Sequence, residues 1–282
     1  VYLWRAGFPI NGGTEDYKKA AEWAGKVVAT NQHRLNPDLY AMWKCMATDK
    51  YDTEYNESMW EVEFIGNREG DGQGIYTDGR IGNVIGNLQK CTANPGKGYS
   101  YAFYAPTLIL WDLYSDTDKR RDVYIAPYQI NNKDVEVAWK DNQIVQRSCG
   151  KFRREWETSS MKHKNYTPEN YPVLRYSDVL LMQAEAENEA NNGPTELAYK
   201  AINTVRERAG LEALKNMDYA TFQQEVRDER ARELCFESLR KYDLVRWGIY
   251  VDAIHNKLGA ATATKRWAPG NNFLGAAAYA NN

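Results

Sequence analysis

The chain is poor in the residues that build metal and redox sites. Its 282 residues include three histidines (His33, His163, His255), each isolated, so the usual ligands of metal catalysis are missing. The four cysteines (Cys45, Cys91, Cys149, Cys235) lie far apart with no C-x-x-C pair, which removes zinc-cluster and thioredoxin-type motifs. Cys235 falls in an apolar stripe and reads as a buried thiol. No G-x-x-x-x-G-K-[ST] is present, so no phosphate cradle is expected. "DGQGIYTDGRIG" (Asp71–Gly82) has the look of a calcium loop, but its last position is Gly82 where an EF-hand needs Glu. No metal and no cofactor are expected. No run of 18 apolar residues occurs, so no segment reads as a membrane-crossing helix. Neither charge sign dominates: 36 Lys and Arg face 38 Asp and Glu, which argues against a general polyanion binder. The sequence opens at "VYLWRAGFPINGG" without Met or a signal peptide and reads as a mature or trimmed segment, so the missing signal says little about compartment.

Phenylalanine is also scarce, at 7 residues against 20 Tyr and 9 Trp. Tyr and Trp pair a flat apolar face with a polar tip and suit half-wet surfaces. Sugars offer a matching mixture of C–H faces and hydroxyl rims. Nine of the 20 glycines fall between Gly66 and Gly98, a long irregular excursion of the sort that carries function. Farther on, Trp139 and Trp156 sit among Lys140, Arg147, Lys151, Arg153 and Arg154. Aromatics among cations can grip single-stranded nucleic acid, but the balanced charge sets that reading aside.

Helical periodicity is clear in two places. Tyr17, Ala20, Ala21, Ala24, Val27 and Val28 form one apolar face over residues 14–30, with Thr14 as the expected N-cap. In the last third, Tyr176, Val179, Leu180 and Ala184 start a helix that "NNGP" (Asn191–Pro194) stops. Thr195 caps the next, whose inward face is Ala198, Ala201, Ile202 and Val205 and whose end is Gly210. The pair has the size of a tetratricopeptide repeat, roughly 34 residues. "SMWEVEF" (Ser58–Phe64) alternates as a half-buried strand, with Trp60, Val62 and Phe64 on one side. "APTLILWDLYSDTDKRRD" resumes a helix along Leu108, Trp111 and Tyr114, with Asp116 and Asp118 in the turn that follows.

The segment "RDERARELCFESLRKYDLVRWG" (Arg227–Gly248) carries eleven formal charges in 22 positions. Ala231, Leu234, Cys235, Leu239 and Tyr242 mark a buried stripe, and the charges are expected to pair as Asp228–Arg232, Glu237–Lys241 and Asp243–Arg246 on the exposed side. Glu229, Glu233 and Glu237 sit among arginines, so a strut is favoured over a catalytic helix. This segment resembles the helix motif of the SusD/RagB family. The pattern is carried by Glu229, Arg230, Glu233, Leu234, Phe236, Glu237, Arg240, Asp243, Leu244, Arg246 and Trp247, with Ser238 in place of the usual glycine. "YPVLRYSDVLLMQAEAENEA" with "AINTVRERAGL", "APTLILWDLYSDTDKRRD" and "AAEWAGKVVATNQHRLNPDLYAMW" resemble further parts of the family in the expected order.

The resemblance implies a mainly α fold, a tetratricopeptide-like helical repeat scaffold with long irregular loops and a few short strands. It implies that residues 1–282 are the C-terminal portion of such a protein, with repeat helices at about 14–30 and 176–247 and a loop-rich ligand region at about 66–166. It further implies an outward-facing outer-membrane lipoprotein, anchored by a lipid on an N-terminal part that is not in this sequence. Such a protein binds oligosaccharide or polysaccharide without catalysis and delivers it to a SusC-like TonB-dependent transporter. Sugar contacts vary in the family, so site residues follow from loop placement and chemistry instead. Tyr76, Tyr99, Tyr101, Trp139 and Trp156 are candidate stacking faces, and Arg80, Asn83 and Asn87 candidate hydroxyl partners. For each of them a packing or solvated role is an equal alternative. Two other readings stay open: a glycoside hydrolase using loop acids such as Asp71, Asp78 and Asp141, and a peptide-binding helical-repeat protein.

Overall fold

The structure is a computed structural model, and it describes residues 1–68, 77–91, 94 and 96–258. In chain order its helices are α1 (Tyr2–Ala6), α2 (Gly13–Ala29), α3 (Ala41–Ala47), α4 (Ile81–Val84), α5 (Leu108–Asp112), α6 (Arg121–Tyr124), α7 (Tyr176–Asn191), α8 (Glu196–Arg208), α9 (Tyr219–Glu233), α10 (Arg240–Arg246) and α11 (Tyr250–Asp252). The strands are β1 (Ser58–Val62), β2 (Gln89–Lys90), β3 (Tyr99–Ser100), β4 (Tyr128–Ile130), β5 (Glu136–Ala138) and β6 (Tyr171–Arg175). The fold is mainly helical with a few short strands. It divides into two units: one holds Val1–Leu35, Leu108–Lys119 and the chain from Tyr176 on, the other Asn36–Thr107 and Arg120–Arg175.

The first unit is the helical scaffold. Helix α7 is buried on nearly every face and packs against α2, α8 and α9, as expected of a helix at the centre of a bundle. Small side chains bring the axes close: Ala184 and Ala186 on α7, Ala198 and Ala201 on α8, and Ala20 and Ala21 on α2 are all buried. The N-terminus of α8 is capped as expected, Thr195 Oγ1 accepting the Ala198 N–H at 3.2 Å, and Gly210 turns the chain out at φ +80. Helix α2 begins one residue before Thr14 and has no side-chain cap, so Thr14 does not cap it.

The charged segment departs from a single amphipathic helix. α9 ends at Glu233 and α10 begins at Arg240, with Phe236 and Ser238 in the left-handed region at φ +65 and +61. Ser238 thus occupies a backbone position that glycine adopts without strain. The break moves the charges inside and exposes Tyr242. Arg230 Nε donates to Asp243 Oδ2 and its Nη1 to Asp178 Oδ1, both at 2.8 Å. Arg246 binds Asp243 Oδ1 through Nε at 3.0 Å and grips both oxygens of Glu185, with Nη2 to Oε2 at 2.7 Å. Trp247 Nε1 donates to Glu185 as well, at 2.7 Å. Of the expected exposed pairs, Asp243–Arg246 forms but is buried. Arg232 binds Glu229 at 2.7 Å in place of Asp228, and Glu237 is buried. Three helices, α7, α9 and α10, are therefore tied by one ionic network.

Burial works to raise Asp243, but Arg230 and Arg246 outweigh it and hold the carboxyl below its ordinary value. At Asp178 burial wins over Arg230, and the carboxyl lies above its ordinary value. Removing one member leaves the others unpaired out of water. Arg230→Met is expected to cost about 3–5 kcal/mol of unfolding free energy, read by urea titration followed by circular dichroism. A loss below about 1 kcal/mol would show that the network is dispensable.

In the second unit β1 pairs antiparallel with β6, and a four-stranded sheet runs in the order β3-β2-β4-β5, with β2 and β4 parallel. The register shifts on either side of Trp60, and this irregularity breaks the simple alternation. Trp60 and Val62 lie on the exposed side, Trp60 at 64% exposure, opposite to the burial expected of an apolar strand face. The core of this unit is aromatic: Trp43 meets Phe152 and Tyr124 edge-on, at centroid separations of 5.3 and 6.3 Å.

Candidate functional site

Irregular loops hold no shape by themselves, and here their backbone carbonyls converge on Arg154. Its side chain is fully buried. Nε and Nη2 bind the two oxygens of Glu157 at 2.5 and 3.2 Å. Nη1 donates to the carbonyls of Tyr99 (3.1 Å), His163 (2.9 Å) and Lys164 (3.1 Å). Nη2 reaches Asn67 Oδ1 and the Tyr166 carbonyl, both at 3.2 Å. One guanidinium thus gathers segments near residues 67, 99 and 163–166. Gly98, at φ +80, lets the chain pass: a Cβ there would lie 2.7 Å from Arg154 Cζ.

The first surface built on this hub is a row of rings from "YSYAFY" (Tyr99–Tyr104). Tyr99 and Tyr101 are 4.7 Å apart between centroids, and Tyr101 lies parallel to Phe103 at 5.3 Å and 3°. Phe103 is 65% exposed and Tyr104 53%. The row is pinned by α4, since Tyr101 N–H donates to the Asn83 carbonyl at 2.7 Å and Phe103 N–H to that of Val84 at 2.9 Å. Between the two rings Ala102 is held at φ +51, a conformation costing an alanine about 1–2 kcal/mol. Such strain is found where a site needs a fixed geometry.

The second surface is a cleft of about 550 Å³. Its lining mixes hydroxyls (Thr48, Ser159, Ser160), the Asn67 amide and the Asp49 carboxylate with the apolar faces of Phe64 and Ile65. Asp49 and Asn67 both adopt left-handed backbone, at φ +52 and +49, which Asp and Asn tolerate better than most residues. Asn67 links this wall to the hub through Arg154 and Glu157.

A row of rings and a hydroxyl-lined cleft, tied to one arginine, have the chemistry of a sugar surface, and the rest of the chain says where it belongs. The SusD family model matches residues 128–275, more than half of the sequence. The chain belongs to the SusD family. It is 28% identical to SusD-like protein P25 of Formosa agariphila over 92% of its own length and 55% of that protein's. To the starch-binding protein SusD of Bacteroides thetaiotaomicron it is 27% identical, over 48% of this chain and 27% of that one. The crystal structure of a SusD homolog from Bacteroides thetaiotaomicron superposes with a TM-score of 0.84 at 27% identity, covering 99% of this chain and 56% of that one. The chain spans about half the length, or less, of these curated relatives.

Within this SusD-family chain the eight residues singled out from sequence separate. Tyr99 and Tyr101 are brought together in the ring row, half-buried. Arg80 is exposed beside it, its Nη2 donating to Asn83 Oδ1 at 3.1 Å. Asn83 is fully buried and spends its amide on the carbonyls of Tyr99 (2.8 Å) and Lys164 (3.2 Å). Asn87 is buried too, accepting from Ser148 Oγ at 3.0 Å. Neither asparagine is placed to reach a sugar hydroxyl; both tie loops. Trp156 packs edge-on against Tyr40 at 5.9 Å, with the Arg153 guanidinium 5.1 Å from its ring. Trp139 is half-buried, its backbone N–H given to the Pro127 carbonyl at 2.8 Å. Tyr76 lies outside the described residues. Phe103, Tyr104 and the cleft residues were not anticipated, although the alternating aromatics of "YSYAFY" and the hydroxyl run "TSS" are visible signals. Arg147, Lys151, Arg153 and Arg154 are buried, which takes from the surface the cations that a nucleic-acid grip would need.

Beneath the hub lies an acid of a different kind. Glu169 is fully buried, neither of its oxygens is hydrogen-bonded among the described residues, and it abuts Gly82, where a Cβ would be 2.2 Å from Oε1. Burial, with the nearby Glu157 carboxylate adding to it, pushes its carboxyl up to about 8. A group raised in the folded state stabilises at low pH, and that contribution is lost as pH climbs from its unfolded value of about 4.3 through the folded one. Glu169→Gln should therefore gain thermal stability relative to the unaltered chain between about pH 5 and pH 9. Melting curves at the two values test this, and an unchanged difference would place the ionisation elsewhere. Arg154→Met, which strands Glu157 and the loop carbonyls, is expected to cost about 3–5 kcal/mol in an unfolding titration; a loss under about 1 kcal/mol would contradict the hub.

Proposed function

We propose that this chain is the sugar-recognising part of a cell-surface protein that binds oligosaccharide or polysaccharide and passes it to a TonB-dependent outer-membrane transporter. The observation that carries the reading is the ring row Tyr99–Tyr101–Phe103 and the hydroxyl-lined cleft, both hanging from one buried guanidinium. Rings stack on the C–H face of a pyranose, and the cleft's hydroxyls, amide and carboxylate suit its rim. The family relationship, and a relative whose name is starch-binding protein SusD, support the same substrate class.

The role is one of binding and not of bond cleavage. Of the loop acids considered for hydrolysis, Asp78 is bridged to Arg68 at 3.3 Å and Asp141 is exposed, while Asp71 lies outside the described residues. Asp49 stands in the cleft and would contact hydroxyls. Release of reducing ends from a polysaccharide, abolished by Asp49→Asn, would favour a hydrolase instead. Co-purification with a β-barrel transporter from outer membranes tests the partner.

Calorimetric titration over a panel of oligosaccharides tests the site. Replacing Phe103 or Tyr101 with Ala should each weaken binding about tenfold, near 1.4 kcal/mol, with the melting temperature preserved. Unchanged affinity in both variants would remove the ring row from the site.

A further inference from the structure

The exposed cations around the ring row are not equivalent. Arg68 is paired with Asp78 at 3.3 Å and Lys97 with Asp134 at 3.7 Å. Arg80 and Lys164 have no carboxylate partner among the described residues. Both are exposed. The Lys164 Nζ lies 5.6 Å from the Tyr99 ring centroid. The Arg80 Nη2 rests on Asn83 Oδ1, and the amide nitrogen of Asn83 holds the carbonyls of Tyr99 and Lys164. Asn83 therefore joins the Arg80 guanidinium to the backbone from which Tyr99 and Lys164 project, and one Arg80 N–H of five is spent on a neutral acceptor. The acid buried nearby, Glu157, is committed to Arg154.

We propose that the Tyr99 end of the ring row is a subsite for an acidic sugar, its carboxylate or sulfate ester held between Arg80 and Lys164 while the ring stacks along Tyr101 and Phe103. This rests on the sugar-binding reading above and narrows its substrate class. Planar guanidinium donors match both carboxylate and sulfate oxygens, and an aromatic neighbour leaves the ammonium less hydrated than in open water. The cleft has the opposite sign, since it carries Asp49. Acidic groups are thus drawn to the ring row and turned away from the cleft, which orients the chain of sugars.

The experiment is calorimetric titration of the full chain with polygalacturonate oligosaccharide, a sulfated galactan oligosaccharide and neutral laminarin oligosaccharide, at about 50 and about 500 mM NaCl. Expected is preference for one or both acidic probes, with affinity falling roughly tenfold or more at high salt, since exposed ion pairs are screened. Arg80→Gln combined with Lys164→Gln should remove the acidic preference and the salt dependence while weak stacking persists. The uronate and sulfate probes tell the two acidic groups apart. A charge-conserving pair, Arg80→Lys with Lys164→Arg, should keep the acidic preference, which separates loss of charge from misfolding as the cause of a loss in the glutamine pair. Binding of laminarin alone, insensitive to salt and to the glutamine pair, would overturn this proposal and leave the sugar reading standing. Binding of none of the three would overturn both.

Discussion

A guanidinium held wholly out of water is costly unless its donors are met, and Arg154 meets them by gathering the loops that matter. The chain between residues 66 and 107 has too few long apolar runs to fold by hydrophobic patterning. The described loops are tied directionally: Glu157 fixes the arginine, and the arginine fixes the carbonyls of Tyr99, His163, Lys164 and Tyr166 and the amide of Asn67. That one group ties the Tyr99 end of the ring row and the Asn67 wall of the cleft together, and α4 pins the rest of the row. Asn83 repeats the device on a smaller scale, its amide holding two of the same carbonyls.

The helical unit uses the same chemistry for a different end. There the hydrophobic stripes bring α2, α7, α8 and α9 together, and small residues set the spacing. The Asp178–Arg230–Asp243–Arg246–Glu185 network then joins α10 to α7 and α9. Among the described residues twenty charged side chains are buried, against 36 basic and 38 acidic residues in the sequence. That burial explains why an abundance of arginine near tryptophan is no sign of a polyanion surface.

Periodicity made the scaffold legible in the sequence: α2, α7 and α8 stand where the apolar faces of residues 14–30 and 176–208 put them. The charged segment identified the family, but its geometry was not readable, because left-handed backbone at Phe236 and Ser238 splits it and no local signal marks a serine there. For the site, the texture of the Gly-rich stretch pointed to the neighbourhood of Tyr99 and Tyr101. Asn83 and Asn87 are buried, which the sequence did not show, because an amide facing solvent and an amide that binds a carbonyl are the same in sequence. The cleft residues come from segments far apart in the chain, Thr48, Asn67 and Ser159 among them, and no spacing announces such a meeting.

The family accounts for the frame, and the loops carry the proposed sugar surface. The central claim is that sugar is recognised on the loops tied by Arg154 and not on the helical scaffold. Amide chemical-shift mapping by NMR during titration of the full chain with a bound oligosaccharide tests it most directly. Perturbations confined to the segments around 48–68, 99–104 and 158–168 are expected. Shifts concentrated on α7, α8 and α9, with those loops unmoved, would contradict it.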